Sequence, residues 1–289
     1  MKLLRFGEHG HERPGVLDSQ GIIRDISAYV DDFNPQAMSD PEFILKLSAL
    51  DLNTLPCVSG SVRIGACLDR PGKIVCIGLN SILHAQEVGL KVLNQEMLVF
   101  LKPSSSICGP NDPVPYAPHM CKLDWEAELA FVIGRAGKYI QHKDAEDYIL
   151  GYTCLNDLTE RYLQLETEDK QFTKGKGFDG AAPIGPYLVT KDEIKNPQDL
   201  HLRLWVNGVL RQSFNSSDYI HNPAQIIEYV SKYFTLHPGD IISMGSAPGS
   251  APFWGEDCFL KPNDRMVFCI EGLGQQEQCV IFESNSNQL

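Results

Sequence analysis

The fold is decided by the stretch Glu126-Ala127-Glu128-Leu129-Ala130-Phe131-Val132-Ile133, in which two carboxylates precede a wholly apolar run. Such a run is typical of a strand that enters a core. Residues i and i+2 of a strand share a face, so Glu126 and Glu128 are predicted to point the same way. Two adjacent buried carboxylates repel each other unless a cation neutralises them. An exposed acidic strand start is the alternative interpretation.

Short strands separated by turn residues are predicted near the N-terminus, and strands dominate the second part of the chain. The dipeptide Asn207-Gly208 predicts a type I′ hairpin turn. Helices are predicted over Pro41–Leu52 (after a cap at Ser39-Asp40), the start of Ala145–Tyr152, and Pro223–Tyr233, while Ser81–Gly89 is predicted to be a short helix or an ordered loop. The other predicted strands are Leu3–Phe6, Gly15–Leu17, Gly21–Ile26, Ile74–Ile77, Ile149–Leu155, His201–Val206, Val209–Ser213, Ile241–Met244, Arg265–Ile270 and Gln278–Phe282.

The fold class predicted from this pattern is strand-dominated α+β. The turn-rich segment Asp69-Arg70-Pro71-Gly72 suggests a boundary. We therefore expect a small N-terminal domain over residues 1–70 and a metal-dependent catalytic domain over residues 71–289.

Composition narrows the possible partners. The net charge of -12 argues against a nucleic-acid or anionic-membrane surface as the main partner, although a metal or local cations can still bind an anionic substrate. No signal peptide or bilayer-spanning run is found, and the nine cysteines include no C-x-x-C pair. We expect a soluble, cytoplasmic protein whose cysteines are mostly small buried side chains without disulfides.

A third carboxylate completes a candidate metal site. Asn156-Asp157 follows the strand Ile149–Leu155, so Asp157 is placed at a strand end. If Asp157 meets Glu126 and Glu128, three carboxylates converge in a set that suits Mg²⁺ or Mn²⁺. About three coordination positions then remain for water or a chelating substrate. Zinc is disfavoured because it prefers nitrogen and sulfur ligands.

A candidate general base lies in the segment His84-Ala85-Gln86-Glu87. On a helix, residues i and i+3 share a face, so Glu87 can orient His84 and raise its basicity. A solvated surface pair is the alternative.

Several groups are candidates for binding an anion. Lysine and arginine bind carboxylates and enolates, and the turn Gly245-Ser246-Ala247-Pro248-Gly249 can cradle a carboxylate with its hydroxyl and N–H groups. Ordinary surface charges and an ordinary turn are the alternatives. The donors are Arg161, Gln164, Lys174 and Lys176.

In their order along the chain, these pieces resemble the fumarylacetoacetate hydrolase family. The resemblance extends over roughly residues 73 to 280. The N-terminal segment resembles that of members with a small leading domain, which are often assigned to the catabolism of 2,4-dioxo-3-deoxy sugar acids. The matching stretches are Lys73–Asn80, His84–Glu87, Phe100–Pro103, Asp124–Leu129, Gly151–Asp157, Thr159–Arg161, Gly175-Lys176, Pro183–Pro186, Val206–Gly208, Leu236–Asp240 and Gly272–Gly274.

The resemblance implies a mixed β-roll or sandwich catalytic fold, usually homodimeric. It implies Glu126, Glu128 and Asp157 as ligands of Mg²⁺ or Mn²⁺. It also implies His84 and Glu87 as the dyad that activates water, and its polar substrate-binding positions are Lys176, Arg161, Gln164 and Ser246. The chain departs from the family pattern at Ser81, Leu83, Gly177, Met244 and Ala247.

The resulting hypothesis is hydrolysis of a C–C bond in a small 2,4-dioxo acid, either an acylpyruvate or a 2,4-dioxo-3-deoxy sugar acid. Here the metal is the Lewis acid, His84 removes a proton from water, and Lys176 with Gln164 stabilises negative charge. Alternatives are decarboxylation of a 2-oxo diacid such as oxaloacetate, isomerisation or hydration on the same site, or a non-catalytic metabolite-binding protein.

Overall fold

Two large β-sheets form the framework of the structure. The computed structural model describes residues 1–89 and 96–283. The strands in these residues are β1 Lys2–Phe6, β2 Arg13–Leu17, β3 Ile23–Asp25, β4 Ile74–Gly78, β5 Leu98–Lys102, β6 Ile107–Cys108, β7 Val114–Tyr116, β8 Leu123–Asp124, β9 Ala127–Ile133, β10 Ile149–Asn156, β11 Thr159–Glu160, β12 Ala182–Pro183, β13 Leu188–Thr190, β14 His201–Val206, β15 Val209–Asn215, β16 Ile241–Ser243, β17 Arg265–Ile270 and β18 Gly274–Phe282.

The helices are short and lie between the strands. They are α1 Pro35–Met38, α2 Phe43–Ser48, α3 Ile82–Glu87, α4 Phe172–Lys176 and α5 Pro223–Val230. A π-helical turn covers Tyr162–Glu166, and one of several 3₁₀ turns covers His142–Tyr148. Among the described residues, no helix has both the length and the apolar character needed to cross a bilayer.

The larger sheet has nine strands in the order β3-β2-β1-β13-β10-β9-β16-β4-β5. The second sheet has five strands in the order β15-β14-β17-β18-β7. Strand β1 pairs with β13, so the first three strands extend the larger sheet. The predicted domain boundary near residue 70 stays a prediction.

Apolar side chains cover both faces of the larger sheet. On one face, Phe131 of β9 belongs to the same buried cluster as Leu204 and Phe268 of the smaller sheet. On the other face, the neighbouring residue Val132 belongs to a cluster with Phe33 and other residues of the N-terminal region. Two covered faces explain why β9 is an unbroken apolar run instead of an alternating one.

The predicted fold class is confirmed, with local differences. Asn207 and Gly208 have φ of 50° and 77°, as the predicted type I′ turn requires. Helix α2 is shorter than predicted; Asp40 accepts a hydrogen bond from the Glu42 N–H just before it. The predicted helix at Ala145 is a 3₁₀ turn.

All nine cysteines are free thiols, as predicted. The expectation that most of them are buried was wrong. Full burial is found at Cys67, Cys76 and Cys154, while the other six are partly or fully exposed. The alternating pattern of strands such as β17 accounts for this at Cys269, whose neighbours Phe268 and Ile270 point into the core.

Candidate metal and substrate site

The three predicted carboxylates meet where β9 and β10 lie side by side. Glu126 directly precedes β9, Glu128 lies within it, and Asp157 directly follows β10. The antiparallel register places Leu155 opposite Glu128, and the Asp157 N–H donates to the Glu126 carbonyl over 2.9 Å. One carboxylate oxygen from each residue lies within 4.8 Å of the other two. All three residues are buried, which excludes the exposed strand start as an interpretation.

Two buried lysines hold this group together. Lys176 Nζ donates to Glu126 Oε2 over 2.5 Å, to Asp157 Oδ2 over 2.6 Å and to Thr159 Oγ1 over 2.8 Å. Lys102 Nζ donates to the other Asp157 oxygen over 2.5 Å. Because a lysine has three N–H donors, all those of Lys176 are engaged by these contacts. Its position therefore suits it to hold the carboxylates in place.

Arg161 supplies a third cation. Its Nη2 donates to Glu126 Oε1 over 2.6 Å, its Nε donates to Asp124 Oδ2 over 2.7 Å, and its Nη1 donates to Gln164 Oε1 over 3.0 Å. The pairing of β11 with β8, which sets Thr159 opposite Asp124, brings the guanidinium to this position. Gln164 is buried beside it and accepts this hydrogen bond through its amide carbonyl oxygen.

Charge is not balanced within this cluster. Four buried carboxylates, those of Asp124 and the triad, face three cations, and no ion pair joins Glu128 to any described lysine or arginine. Glu128 Oε2 accepts from the Ser243 hydroxyl and from the Gly245 N–H over 3.2 Å.

The pKa shifts follow this imbalance. Burial, together with the charges of Asp157 and Glu126, raises the pKa of Glu128 well above its ordinary value. Burial also acts to raise the pKa of Glu126, but Arg161 and Lys176 outweigh it and lower that pKa below its ordinary value. The triad offers only oxygen ligands, and one of its carboxylates, that of Glu128, has no cationic partner among the described residues. This set fits a hard divalent cation such as Mg²⁺ or Mn²⁺.

The predicted dyad lies on helix α3. His84 Nδ1 and Glu87 Oε2 are 2.9 Å apart, and the Gly249 N–H donates to Glu87 Oε1 over 3.0 Å. The side chains of His84 and Glu87 are only 12% and 19% exposed, which excludes a solvated surface pair. Since Glu87 engages Nδ1, Nε2 is the ring nitrogen left to accept a proton.

One cavity of about 340 Å³ joins these parts. The triad, His84, Arg161, Gln164, Lys176 and Ser246 all line it, and Glu87 reaches it through His84. Ser246 is buried and its hydroxyl accepts from Gln212 Nε2 over 3.0 Å. The prediction that Lys174 is an anion donor of this site was wrong. Lys174 is exposed and pairs with Asp169 instead.

Two residues of the cluster were not predicted, Lys102 and Asp124. Lys102 ends the apolar strand β5 and is fully buried there. A lysine that closes an apolar run was an available sequence feature, since a buried lysine needs a carboxylate partner. Asp124 extends the i, i+2 series of Glu126 and Glu128, so the same strand argument would have included it.

Residues 73–281 match the family described as fumarylacetoacetate (FAA) hydrolase, C-terminal. The chain belongs to the fumarylacetoacetate hydrolase family. The predicted resemblance is therefore confirmed over the part of the chain that carries every residue of the site.

This family member has similar relatives of more than one activity. A Burkholderia ambifaria protein named only as a hydrolase is 46% identical over 279 residues, which are 96% of this chain and 98% of that protein. The structure of maleylpyruvate hydrolase from Sphingobium sp. SYK-6, in complex with manganese(II) and pyruvate, has a TM-score of 0.81 at 27% identity. That of 5-carboxymethyl-2-hydroxymuconate delta-isomerase from Mycobacterium smegmatis has a TM-score of 0.78 at 28% identity. Both comparisons cover 98% of this chain and 100% of the other.

The departures from the family pattern have local structural roles. Ser81 is the N-cap of α3; its hydroxyl accepts from the His84 N–H over 3.0 Å and donates to Asp218. Gly177 ends α4, where a Cβ atom would lie 2.5 Å from the Thr173 carbonyl oxygen. Met244 and Ala247 offer backbone carbonyls, to Asn80 and Gln212 respectively. The exposed Leu83 donates its N–H to Asp218 over 3.3 Å.

Proposed function

We propose that this protein is a hydrolase that cleaves a C–C bond in a small, anionic 2,4-dioxo acid and that depends on Mg²⁺ or Mn²⁺. The observation that carries the proposal is that the acidic triad and His84, whose Nδ1 contacts Glu87, line one cavity. Its volume of about 340 Å³ suits a small metabolite. Similarity to a hydrolase structure that contains manganese and pyruvate supports the metal and the product.

Glu126, Glu128 and Asp157 would hold the metal, with Lys176, Lys102 and Arg161 fixing their orientation. The bound cation would supply Lewis acidity toward the oxygens of the 2-oxo acid.

His84 acts as the general base in this proposal. Its Nε2 takes a proton from a water molecule inside the cavity, and Glu87 stabilises the imidazolium that forms. Gln164 and Ser246, which both line the cavity, bind the oxygens of the substrate through the Gln164 amide and the Ser246 hydroxyl. Lys176 acts by holding Glu126 and Asp157, since its donors are already engaged.

The test is a metal-rescue assay in water labelled with oxygen-18. The protein is stripped with a chelator and offered acetylpyruvate with and without Mg²⁺ or Mn²⁺, and pyruvate is followed with lactate dehydrogenase. Metal-dependent pyruvate release with one labelled oxygen in the acetate is the expected result. Pyruvate release without label, or turnover that ignores the metal, contradicts the proposal.

Isomerisation is the second candidate, because the chain is similar to a delta-isomerase structure. An isomerase shifts a double bond without consuming water, so its product has the mass of its substrate. Mass spectrometry of the products formed from a 2-hydroxy-2,4-dienoic acid distinguishes the two activities.

We also propose that the protein works as a cytoplasmic homodimer. The family resemblance supports this, as do exposed apolar side chains such as Ile281 and Phe282 at the end of β18. Light scattering after size-exclusion chromatography is expected to give twice the chain mass; a monomer mass at micromolar concentration contradicts the dimer.

A further inference from the structure

Part of the lining of the same cavity is an apolar wall. It is formed by Leu79 after β4, Leu98 and Phe100 of β5, Val88 after α3, and Phe172 of α4. The end of the substrate that would bind at the metal held by the triad is polar. This wall must therefore contact a different part of any substrate.

The wall is built by the pairing of β4 with β5. Gly78 lies opposite Leu98, and a Cβ atom on Gly78 would come within 2.5 Å of the Leu98 side chain. The missing side chain at Gly78 therefore lets Leu98 lie across the strand. Phe100 packs edge-on against Phe172, with ring centroids 5.4 Å apart.

The apolar wall and the polar end of the cavity meet at Phe100. Lys176 Nζ lies 5.0 Å from the centre of the Phe100 ring while it contacts Glu126 and Asp157. A substrate whose acid end reaches the triad would thus place its next carbons against this ring and the leucines beyond it.

Leu79 is held in a conformation that leucine rarely adopts. Its φ is 55°, in the left-handed region. The next residue fixes this backbone, because the Asn80 amide donates to the carbonyls of His221 and Met244 and accepts from the His221 N–H. Such strain persists only where the surroundings impose it, and here it places a leucine at the cavity.

We propose that the substrate carries an apolar acyl group, alkyl or aryl, beyond its 2,4-dioxo acid end. This inference rests on the proposed function and selects one of its substrate classes. The cations among the described lining residues, Arg161 and Lys176, already pair with carboxylates. A second carboxylate or a polyhydroxylated chain would therefore lose its hydration against Leu98 and Phe100 without gaining a partner.

The experiment compares acylpyruvates on the metal-loaded protein. Acetyl-, propanoyl-, butanoyl- and pentanoylpyruvate are expected to show kcat/KM rising about fourfold per methylene, as burial of each methylene predicts. An acid of matched length that ends in a carboxylate is expected to react about tenfold more slowly or worse. A flat series, or a preference for the carboxylate-ended or hydroxylated acid, overturns the inference, while labelled acetate from acetylpyruvate still supports hydrolysis.

A binding series separates this inference from the proposed reaction. Calorimetry with Mn²⁺-loaded protein measures pyruvate, 2-oxobutanoate, 2-oxopentanoate and 2-oxohexanoate. Affinity that rises about fourfold per methylene supports the wall even if no acid is hydrolysed. Equal affinities across the series overturn it.

A variant of the wall provides the matched test. L79N keeps a residue that tolerates left-handed φ but places an amide at the cavity. It is expected to flatten the chain-length dependence in both series. The control L45N changes a leucine that is 65% exposed on α2, outside the cavity, and is expected to keep the wild-type dependence. An unchanged dependence in L79N contradicts the proposal.

Discussion

Replacing Glu128 with Gln isolates the one triad carboxylate that has no cationic partner among the described residues. Glutamine keeps the shape, and its carbonyl oxygen can still accept from Ser243 and Gly245. The substitution removes a buried carboxyl group whose pKa is raised by burial and by the charges of Asp157 and Glu126. We therefore expect metal-free E128Q to be at least as stable as the wild type, but to have lost a metal ligand.

The size of the expected Tm shift follows from the linkage between metal binding and folding. A metal at a concentration of 100 Kd stabilises the folded state by about 2.7 kcal/mol. Unfolding 289 residues carries an entropy of about 0.6 kcal/mol/K, so the wild-type Tm is expected to rise by about 4 °C. In E128Q the same Mn²⁺ concentration is expected to give a rise near zero.

Differential scanning calorimetry of chelator-treated protein, before and after Mn²⁺ addition, measures both effects. E87Q is the matched control: it removes another glutamate of the site but no triad ligand, so its Mn²⁺ shift is expected to equal that of the wild type. The reasoning is refuted if E128Q keeps the full shift, or if its metal-free Tm falls several degrees below that of the wild type.

Further predictions concern the groups around the triad. H84A is expected to lower turnover by about a hundred- to ten-thousand-fold in the pyruvate assay while keeping the Mn²⁺ shift; retained turnover contradicts its role. K102M leaves Asp157 without its second lysine partner. The free energy of unfolding, measured in urea, is expected to fall by about 3 kcal/mol. A loss below about 1 kcal/mol would mean that the Lys102–Asp157 ion pair contributes little to stability. Because the pKa of Glu128 is raised, Mn²⁺ binding is expected to release the proton of this carboxyl group. The affinity of the protein for Mn²⁺ is therefore expected to rise about tenfold per pH unit between the ordinary and the raised pKa of Glu128. Calorimetry in two buffers measures the proton release, and its absence contradicts this prediction.

Local sequence patterns predicted most strands of the two large sheets and the convergence of the acidic triad. The apolar run of β9 predicted a strand that enters the core, and the i, i+2 spacing predicted Glu126 and Glu128 on one face. Asp157 could be added because it follows a second apolar strand. These inferences depend on residues that are near one another in sequence.

Contacts between distant segments could not be predicted in the same way. Helix α3 is fixed by Asp218 and by the Gly249 N–H, which lie 137 and 162 residues from Ser81 and Glu87. The contact of Arg161 with Asp124 depends on the register of β11 against β8. A register between separated strands is set by tertiary packing, so the sequence offered Arg161 only as one of several candidate cations.

The net charge of the cluster with its proposed metal bears on which substrate charge the site would accept. Without metal, the four carboxylates exceed the three cations by one charge, and Glu128 meets this deficit by holding a proton more tightly. A divalent cation bound in place of this proton would leave the cluster with one excess positive charge. A single carboxylate neutralises that charge, whereas a dicarboxylate would leave a second negative charge beside Leu98 and Phe100. The charge balance thus favours a monocarboxylate substrate, and the apolar wall favours an apolar tail on it.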